Sequence, residues 1–347
     1  MRGLAWSRVQ LLLAAALLLA VLAALCTGAF FFPPAQVLRF AGQSLGLVAE
    51  GEDTFERNVF LMLRLPRVLL CGLTGATLGL SGALMQGLFR NPIVEPGLAG
   101  TSSGAALGAS IVLVFGGEAT AITAPLGAAA VPAMAFAGGL AATMLVYRIA
   151  SVFGKTDVLA LLLAGIAVNA ACNAGTGFLS YIARDPQARS ITFWNLGTFT
   201  TANWPGTALV AAIFLPCLLI VLRQGKALNA LMLGEDDAAY LGLDPDRLVF
   251  RLLVLNTLIV SVATAMVGVI AFVGLIVPHM VRLLRSSDHR FLLPASALIG
   301  ATLMELVDVL ARLVIRPAEL PVGIITALIG APLFLYILLL HRRRLAG

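Results

Sequence analysis

The chain has 347 residues, of which 60% are hydrophobic and 12% charged, with a formal net charge of +6 and a mean hydropathy of +0.99. Soluble domains carry roughly a quarter charged residues, so this composition excludes a water-soluble enzyme and points to an all-α polytopic membrane protein. The positive charge reports topology rather than nucleic-acid binding.

Apolar windows of about 20 residues, the length that crosses a hydrocarbon core, recur along the whole chain. They predict ten spans, at 9–32, 66–88, 97–116, 121–147, 158–182, 204–222, 250–270, 272–284, 291–311 and 321–340, within a single transmembrane domain over 1–347. The first span begins like a signal peptide, with a short basic region before Val9–Leu25. Its apolar run continues to Phe32, however, and "ALCTGA" offers no good cleavage site, so a retained helix is expected.

The second span opens at "MLRLPRVLL" (62–70), with Arg64, Pro66 and Arg67 at its mouth. Two cations there cost free energy if buried and are ordinary if wet. Further in, Gly72, Gly75, Gly79 and Gly82 share one helix face that Gln86 continues, and Gly97, Gly100, Gly104 and Gly108 repeat the pattern in the third span. Such seams let helix backbones approach closely in lipid. "GLSG" (79–82) resembles a rhomboid-protease serine motif, but its partner would have to be His279 at a span end, and a packing role suffices for Ser81. Thr101, Ser102 and Ser103 could satisfy local backbone groups or line a polar path. "GATL" occurs at 75–78 and again at 300–303, a weak sign of duplication.

"GKT" (154–156) looks like the end of a phosphate loop, yet Ile149 stands where its first glycine would be. No ATP site is expected in this polypeptide. The longest polar stretches are 39–58, 183–190 and 223–247. The last carries apolar residues at helical spacing in two pieces split at Gly234: Leu228, Leu231 and Met232, then Ala238, Leu241 and Leu243 after the acidic turn Glu235-Asp236-Asp237. A merely solvated loop needs no apolar faces, and three adjacent acids disfavour an anionic membrane surface. Residues 250–284 are long for one span and short for two, with Gly268 and Gly274 marking a possible turn.

With the N-terminus placed in the cytoplasm, fifteen of the 23 Lys and Arg fall inside and eight outside. The positive-inside rule thus supports two cytoplasmic termini and an even number of spans. Cys26, Cys71, Cys172 and Cys217 are dispersed within spans and read as small apolar filler. The three histidines form no metal motif, and no metal site or resident cofactor is expected. A secondary transporter would need ion sites on broken helices at midplane; the acidic residues sit mostly at the rims, Glu305 excepted.

"RLPRVLLCGLTGATLGLSGALMQGLFRNPIVEPGLAGTSSGAALGA" (64–109), "LMLGEDDAAYLGL" (231–243), "GVIAFVGLIVPHMVRLLRSSDHRFLLP" (268–294) and "AELPVGIITALIGAPLFLYIL" (318–338) together resemble the membrane subunit of type II ABC importers for cobalamin, ferric siderophores and haem. The likeness covers nearly the whole chain in order. It implies ten helices, a bacterial inner-membrane location, a homodimer enclosing the pathway, two cytoplasmic ATPase subunits that use ATP and Mg, and a periplasmic binding protein above. This chain would then be a transport subunit and not itself an enzyme.

By this resemblance Arg64, Arg67 and Arg312 would grip glutamates of the binding protein, since guanidinium engages carboxylate in a bidentate way. Arg57 and Arg316 suit interfacial anchoring. Arg312 could also pair with Asp308 one turn earlier. Residues 228–243 would be the coupling helices seated on each ATPase, through Leu231, Gly234, Glu235, Asp236, Ala239, Leu241 and Gly242. The cytoplasmic gate would lie at Asp157, Val158 and Leu159, where the apolar pair departs from the small polar residues of cobalamin permeases. "RDPQARSITFWNLGTFT" (184–200) is more similar to haem permeases than to the others. No residue is placed to ligate haem iron convincingly; Met85, Met144 and Met266 read as packing residues.

Overall fold

A computed structural model describes residues 2–28, 30–44, 54–116, 126–152 and 155–345, the side chains of 2–5, 152, 155–156 and 337–345 excepted. The order is α1 (Arg2–Cys26), α2 (Pro34–Ser44), α3 (Phe55–Val59), a π turn (Phe60–Arg64), α4 (Leu65–Leu88), a 3-10 turn (Pro96–Ala99), α5 (Thr101–Phe115), α6 (Ala130–Ala150), α7 (Val158–Ile182), α8 (Asp185–Asn195), α9 (Trp204–Arg223), α10 (Gly225–Leu231), α11 (Glu235–Tyr240), α12 (Pro245–Val267), α13 (Val273–Leu284), α14 (His289–Leu313) and α15 (Val322–Leu345). A two-residue pairing of Ser151–Val152 with Lys155–Thr156 is the one extended element among the described residues. Helices dominate because lipid offers backbone N–H and C=O groups no partner, so each span must satisfy its own.

Seven helical stretches are long and apolar enough to cross a membrane, and three shorter apolar helices, Thr101–Phe115, Val273–Leu284 and Val322–Tyr336, accompany them. They coincide with the ten predicted spans, and several boundaries move. The first helix stops at Cys26 rather than Phe32, whose N–H folds back onto the Cys26 carbonyl at 3.0 Å. The second is continuous from Phe55, eleven residues before its predicted start. Residues 121–125 of the fourth predicted span, and 45–53 of the long polar stretch, lie outside the described residues.

Residues 250–284 form two helices. α12 ends at Gly268, whose φ is 79°, and α13 starts after Phe272 at φ 69°. That left-handed conformation is costly for an aromatic residue. Phe272 is held in it by the Glu95 carboxylate, which accepts its N–H at 2.8 Å. Gly274, expected as part of the turn, lies inside α13, where its carbonyl faces Gly82 so closely that a Cβ at position 82 would strike it.

The core is an antiparallel pair, α4 against α14. A Cβ on Gly75 would collide with the Gly300 carbonyl and one on Gly300 with the Gly75 carbonyl, so the two backbones touch reciprocally. The contacts then step in opposite directions along the two helices, from Arg67 and Asp308 at one end, through Gly79 and Ser296, to Gly87 and His289 at the other. The repeated "GATL" is therefore a packing partnership between two helices. The second seam is only half as long as expected. Gly104 and Gly108 meet Gly138 and Met134 of α6, whereas Gly97 and Gly100 belong to the irregular backbone before α5, Gly100 with φ 86°.

Gln86 has a specific duty. Pro278 inside α13 has no N–H to give the Gly274 carbonyl one turn back, and Gln86 Nε2 donates to the Gly274 and Leu275 carbonyls at 3.3 and 3.4 Å. Its Oε1 accepts from Arg282 at 2.5 Å. Ser81 is buried and donates to Asn256, so its hydroxyl belongs to helix packing and not to a histidine pair.

Candidate functional site

The two ends of the α4–α14 pair carry different chemistry. At one end the chain enters α4 through a π turn immediately before Pro66, which cannot donate to the preceding turn and is accommodated by the wider helix. The turn directs Arg64 inward. Its Nη1 donates to the Leu25 carbonyl at 3.0 Å, and the guanidinium lies 4.8 Å from the Phe32 ring centroid. Arg67 Nη2 is 2.8 Å from Asp308 Oδ1, and Nη1 is 2.8 Å from Glu319 Oε2. Arg312 Nε stands 3.0 Å from Asp308 Oδ2, and its Nη1 donates to the Thr27 carbonyl at 2.5 Å.

All three arginines border one recess of about 440 Å³, together with Glu319, Phe55 and Thr200. The sequence thus places together the residues that the structure brings together, but not as open hands. Arg64 and Arg312 are only 8% and 7% exposed, engaged with the protein's own carbonyls and with Asp308. Among the described residues, three guanidiniums facing two carboxylates leave one formal positive charge in the recess, contributed by Arg64. The expected Asp308–Arg312 pair is present. Glu305, one turn deeper on α14, is fully buried with its carboxylate against Gly72.

The opposite end carries α10 and α11, the two short helices expected on either side of Gly234, which takes φ 137°. Their apolar faces differ from the expected ones. Leu228 and Leu231 point into this chain's own core, Leu231 being 1% exposed, so Leu231 is removed from the outward surface. The exposed apolar residues are Met232, Leu233, Tyr240 at 90% and Leu241 at 64%. Around them, Asp236, Ala239 and Gly242 are exposed, and Glu235 is tied to Arg90 at 2.6 Å. Trp6, stacked by Arg290 at 5.3 Å, places the start of α1 at this same end.

Among the expected polar-path residues, Thr101 is bonded to Thr143 at 2.8 Å, and Ser103 donates to the Gly100 carbonyl and to Asn169. Both therefore satisfy local groups. Ser102 is half-buried beside a cavity of about 110 Å³ shared with Glu95. Asp157 caps α7, accepting the Leu159 and Ala160 N–H groups at 2.8 and 3.3 Å; Val158 is half-buried and Leu159 exposed. Of the "GKT" stretch, Gly154 and the Lys155 and Thr156 side chains lie outside the described residues.

Sequence reasoning missed a polar stripe on α7. Asn169, Asn173, Thr176 and Ser180 recur at spacings of four, three and four on an otherwise apolar helix, with Asn173 exposed and the Thr176 hydroxyl unpartnered. The signal was the period itself. It also missed Asn229, whose amide bonds to Asp288 and His289.

Membrane-crossing helices, two short helices presenting an apolar surface at one end and an arginine-lined recess at the other define a multi-pass transport subunit. Residues 16–340 match the FecCD transport family, and the chain belongs to that family. It is 41% identical over 290 residues to the hemin transport system permease of Yersinia pestis, covering 84% of this chain and 86% of that one. The vitamin B12 import system permease of Salmonella typhi is 39% identical over 328 residues, 94% and 93% of the two chains. A solved structure described as an inward-facing conformation of a metal-chelate type ABC transporter superposes with a TM-score of 0.81 at 33% identity, covering 94% of this chain and 97% of the other. The protein is accordingly a multi-pass permease of the inner membrane.

Proposed function

We propose that this chain is the permease subunit of an ATP-driven importer that moves haem across the inner membrane by alternating access. Two copies enclose the pathway. Two separate ATPase subunits, which use ATP and Mg, sit against Met232, Leu233, Tyr240 and Leu241 on the cytoplasmic side, where both termini also lie. A periplasmic binding protein docks over the recess of Arg64, Arg67 and Arg312, whose surplus positive charge favours an acidic partner. The α7 stripe faces the pathway, because exposed amides and hydroxyls facing lipid would be left without partners.

The observation that carries the reading is the near full-length identity to a hemin permease, joined to an exposed apolar surface at the end bearing residues 225–243. A second cargo, cobalamin, is favoured by the relative at 39% identity over 94% of the chain. Binding protein loaded with hemin, cobalamin or a ferric siderophore, added to the reconstituted complex, tests the choice. ATPase stimulation and uptake with hemin alone are expected. Uptake driven by a proton gradient without ATPase would reject the importer reading.

A further inference from the structure

α10 is bound to the start of α14 by one side chain. Asn229 Nδ2 donates to Asp288 Oδ1 at 2.7 Å. Its Oδ1 accepts the His289 backbone N–H at 2.9 Å and lies 2.8 Å from His289 Nδ1. Both ends of the amide are thus used on the two residues that begin α14. Asp288 is in turn the N-cap of that helix, accepting the Arg290 N–H at 2.9 Å, and pairs with the Arg290 guanidinium at 2.6 Å.

Packing closes the same junction. Gly225, the first residue of α10, lies so near the Arg290 backbone that a Cβ would come within 3.0 Å of its nitrogen. Leu228 is fully buried, and a Cβ on Gly87 would meet both it and His289. From this junction α14 runs 25 residues, about 37 Å at 1.5 Å per residue, in backbone contact with α4, and ends at Asp308 and Arg312. The exposed surface of α11 and the arginine recess are therefore the two ends of one continuous solid path, and Asn229 is the polar join in it.

We propose that Asn229 is a positioning residue that makes α10 and the first turn of α14 one rigid unit, so that displacement of the Met232–Leu241 surface reaches the Arg67–Asp308–Arg312 recess along α14. This rests on the importer reading above. Long-range coupling needs an element that both sites bias, and α14 is that element. A ligand at either end then alters the other reciprocally. The join is specific because amide and carboxylate are complementary donor and acceptor. Replacing the amide by a second carboxylate puts two acceptors face to face, and replacing it by Ala removes the join without adding charge.

The test uses this chain reconstituted with its ATPase and binding-protein partners, and reads the ratio of ATPase rates with and without hemin-loaded binding protein. ATP-driven uptake by the unsubstituted complex is measured first; its absence overturns the importer reading itself. N229D is expected to reduce the stimulation ratio by at least about fivefold, the lower end of ordinary coupling energies. N229A, which removes the join without adding charge, is expected to reduce it in the same direction. An unchanged ratio in N229D overturns the proposal. A ratio that falls in N229D but not in N229A also overturns it, because the added charge and not the lost join would then be responsible. Should N229D fail to copurify with the ATPase, N229A alone is read by the same ratio, and an unchanged ratio overturns the proposal.

Discussion

Asp308 lies between Arg67 and Arg312, 2.8 Å from one and 3.0 Å from the other, with no exposure to solvent. One carboxylate on α14 thereby pairs with a guanidinium of α4 and with another of its own helix. Removing it would leave Arg312 without an ion-pair partner and Arg67 with Glu319 alone.

D308A is therefore expected to destabilise the protein by about 3–5 kcal/mol, the usual cost of breaking a buried ion pair by deleting one partner. Thermal unfolding of the purified protein in detergent measures this, and a melting point unchanged from the parent would show that water already satisfies the arginines.

Leu231 and Leu241 should separate cleanly. L231A empties a fully packed position and is expected to cost about 2–5 kcal/mol. L241D and Y240D change exposed positions, where stability shifts stay within about 0.5 kcal/mol, yet they should reduce copurification with the ATPase. Intact copurification of the double variant would place the ATPase elsewhere.

Q86L is expected to cost about 1–3 kcal/mol, because it orphans the Gly274 carbonyl left by Pro278 together with the Arg282 guanidinium. A second change, P278A, restores the helical N–H and should recover part of the loss in the same unfolding measurement.

On α7, N173L and T176V convert the middle of the stripe to hydrocarbon. Assembly and the melting point should stay near the parent values while uptake per ATP hydrolysed falls several-fold. Normal uptake would make this face a lipid or subunit contact instead.

Asp288 sets a pH window. The Arg290 guanidinium bonded to it, and then the Asn229 amide, hold its carboxyl below the usual carboxylate range against the opposing effect of burial. Its contribution is fully present above the unfolded carboxylate value of about 3.9 and is lost only as pH falls through the lower folded value. The contribution of Asp288 should therefore be flat between pH 5 and 8, so the melting-point difference between the parent and D288N should stay constant across that range.

Most of the span pattern was legible in the sequence because lipid imposes length and apolarity on each helix. Residues 158–182 and the division at Gly234 show how far that reaches. The 3.6-residue period also located the Gly75–Gly79 seam without revealing its partner. What escaped was anything decided by a distant segment. Leu231 and Leu241 look alike as residues, and only the packing of α10 on α4 and α14 turns one inward and leaves the other out. Arg64 and Arg312 were legible as a group at one rim, but the carbonyls of Leu25 and Thr27 that engage them come from a helix end displaced six residues from its predicted stop. Phe272 carries no sign of its left-handed backbone, because the carboxylate that stabilises it is 177 positions away.

The reciprocal contact of Gly75 with Gly300 bears on how this protein can change over generations. A bulky residue in an ordinary core is often rescued when its neighbour shrinks. Here the neighbour is already the smallest amino acid, and the obstacle is main chain, which no codon alters. A selection for second-site revertants of G75V should accordingly yield nothing at position 300, and lineages that lose either glycine have no short mutational road back except reversion.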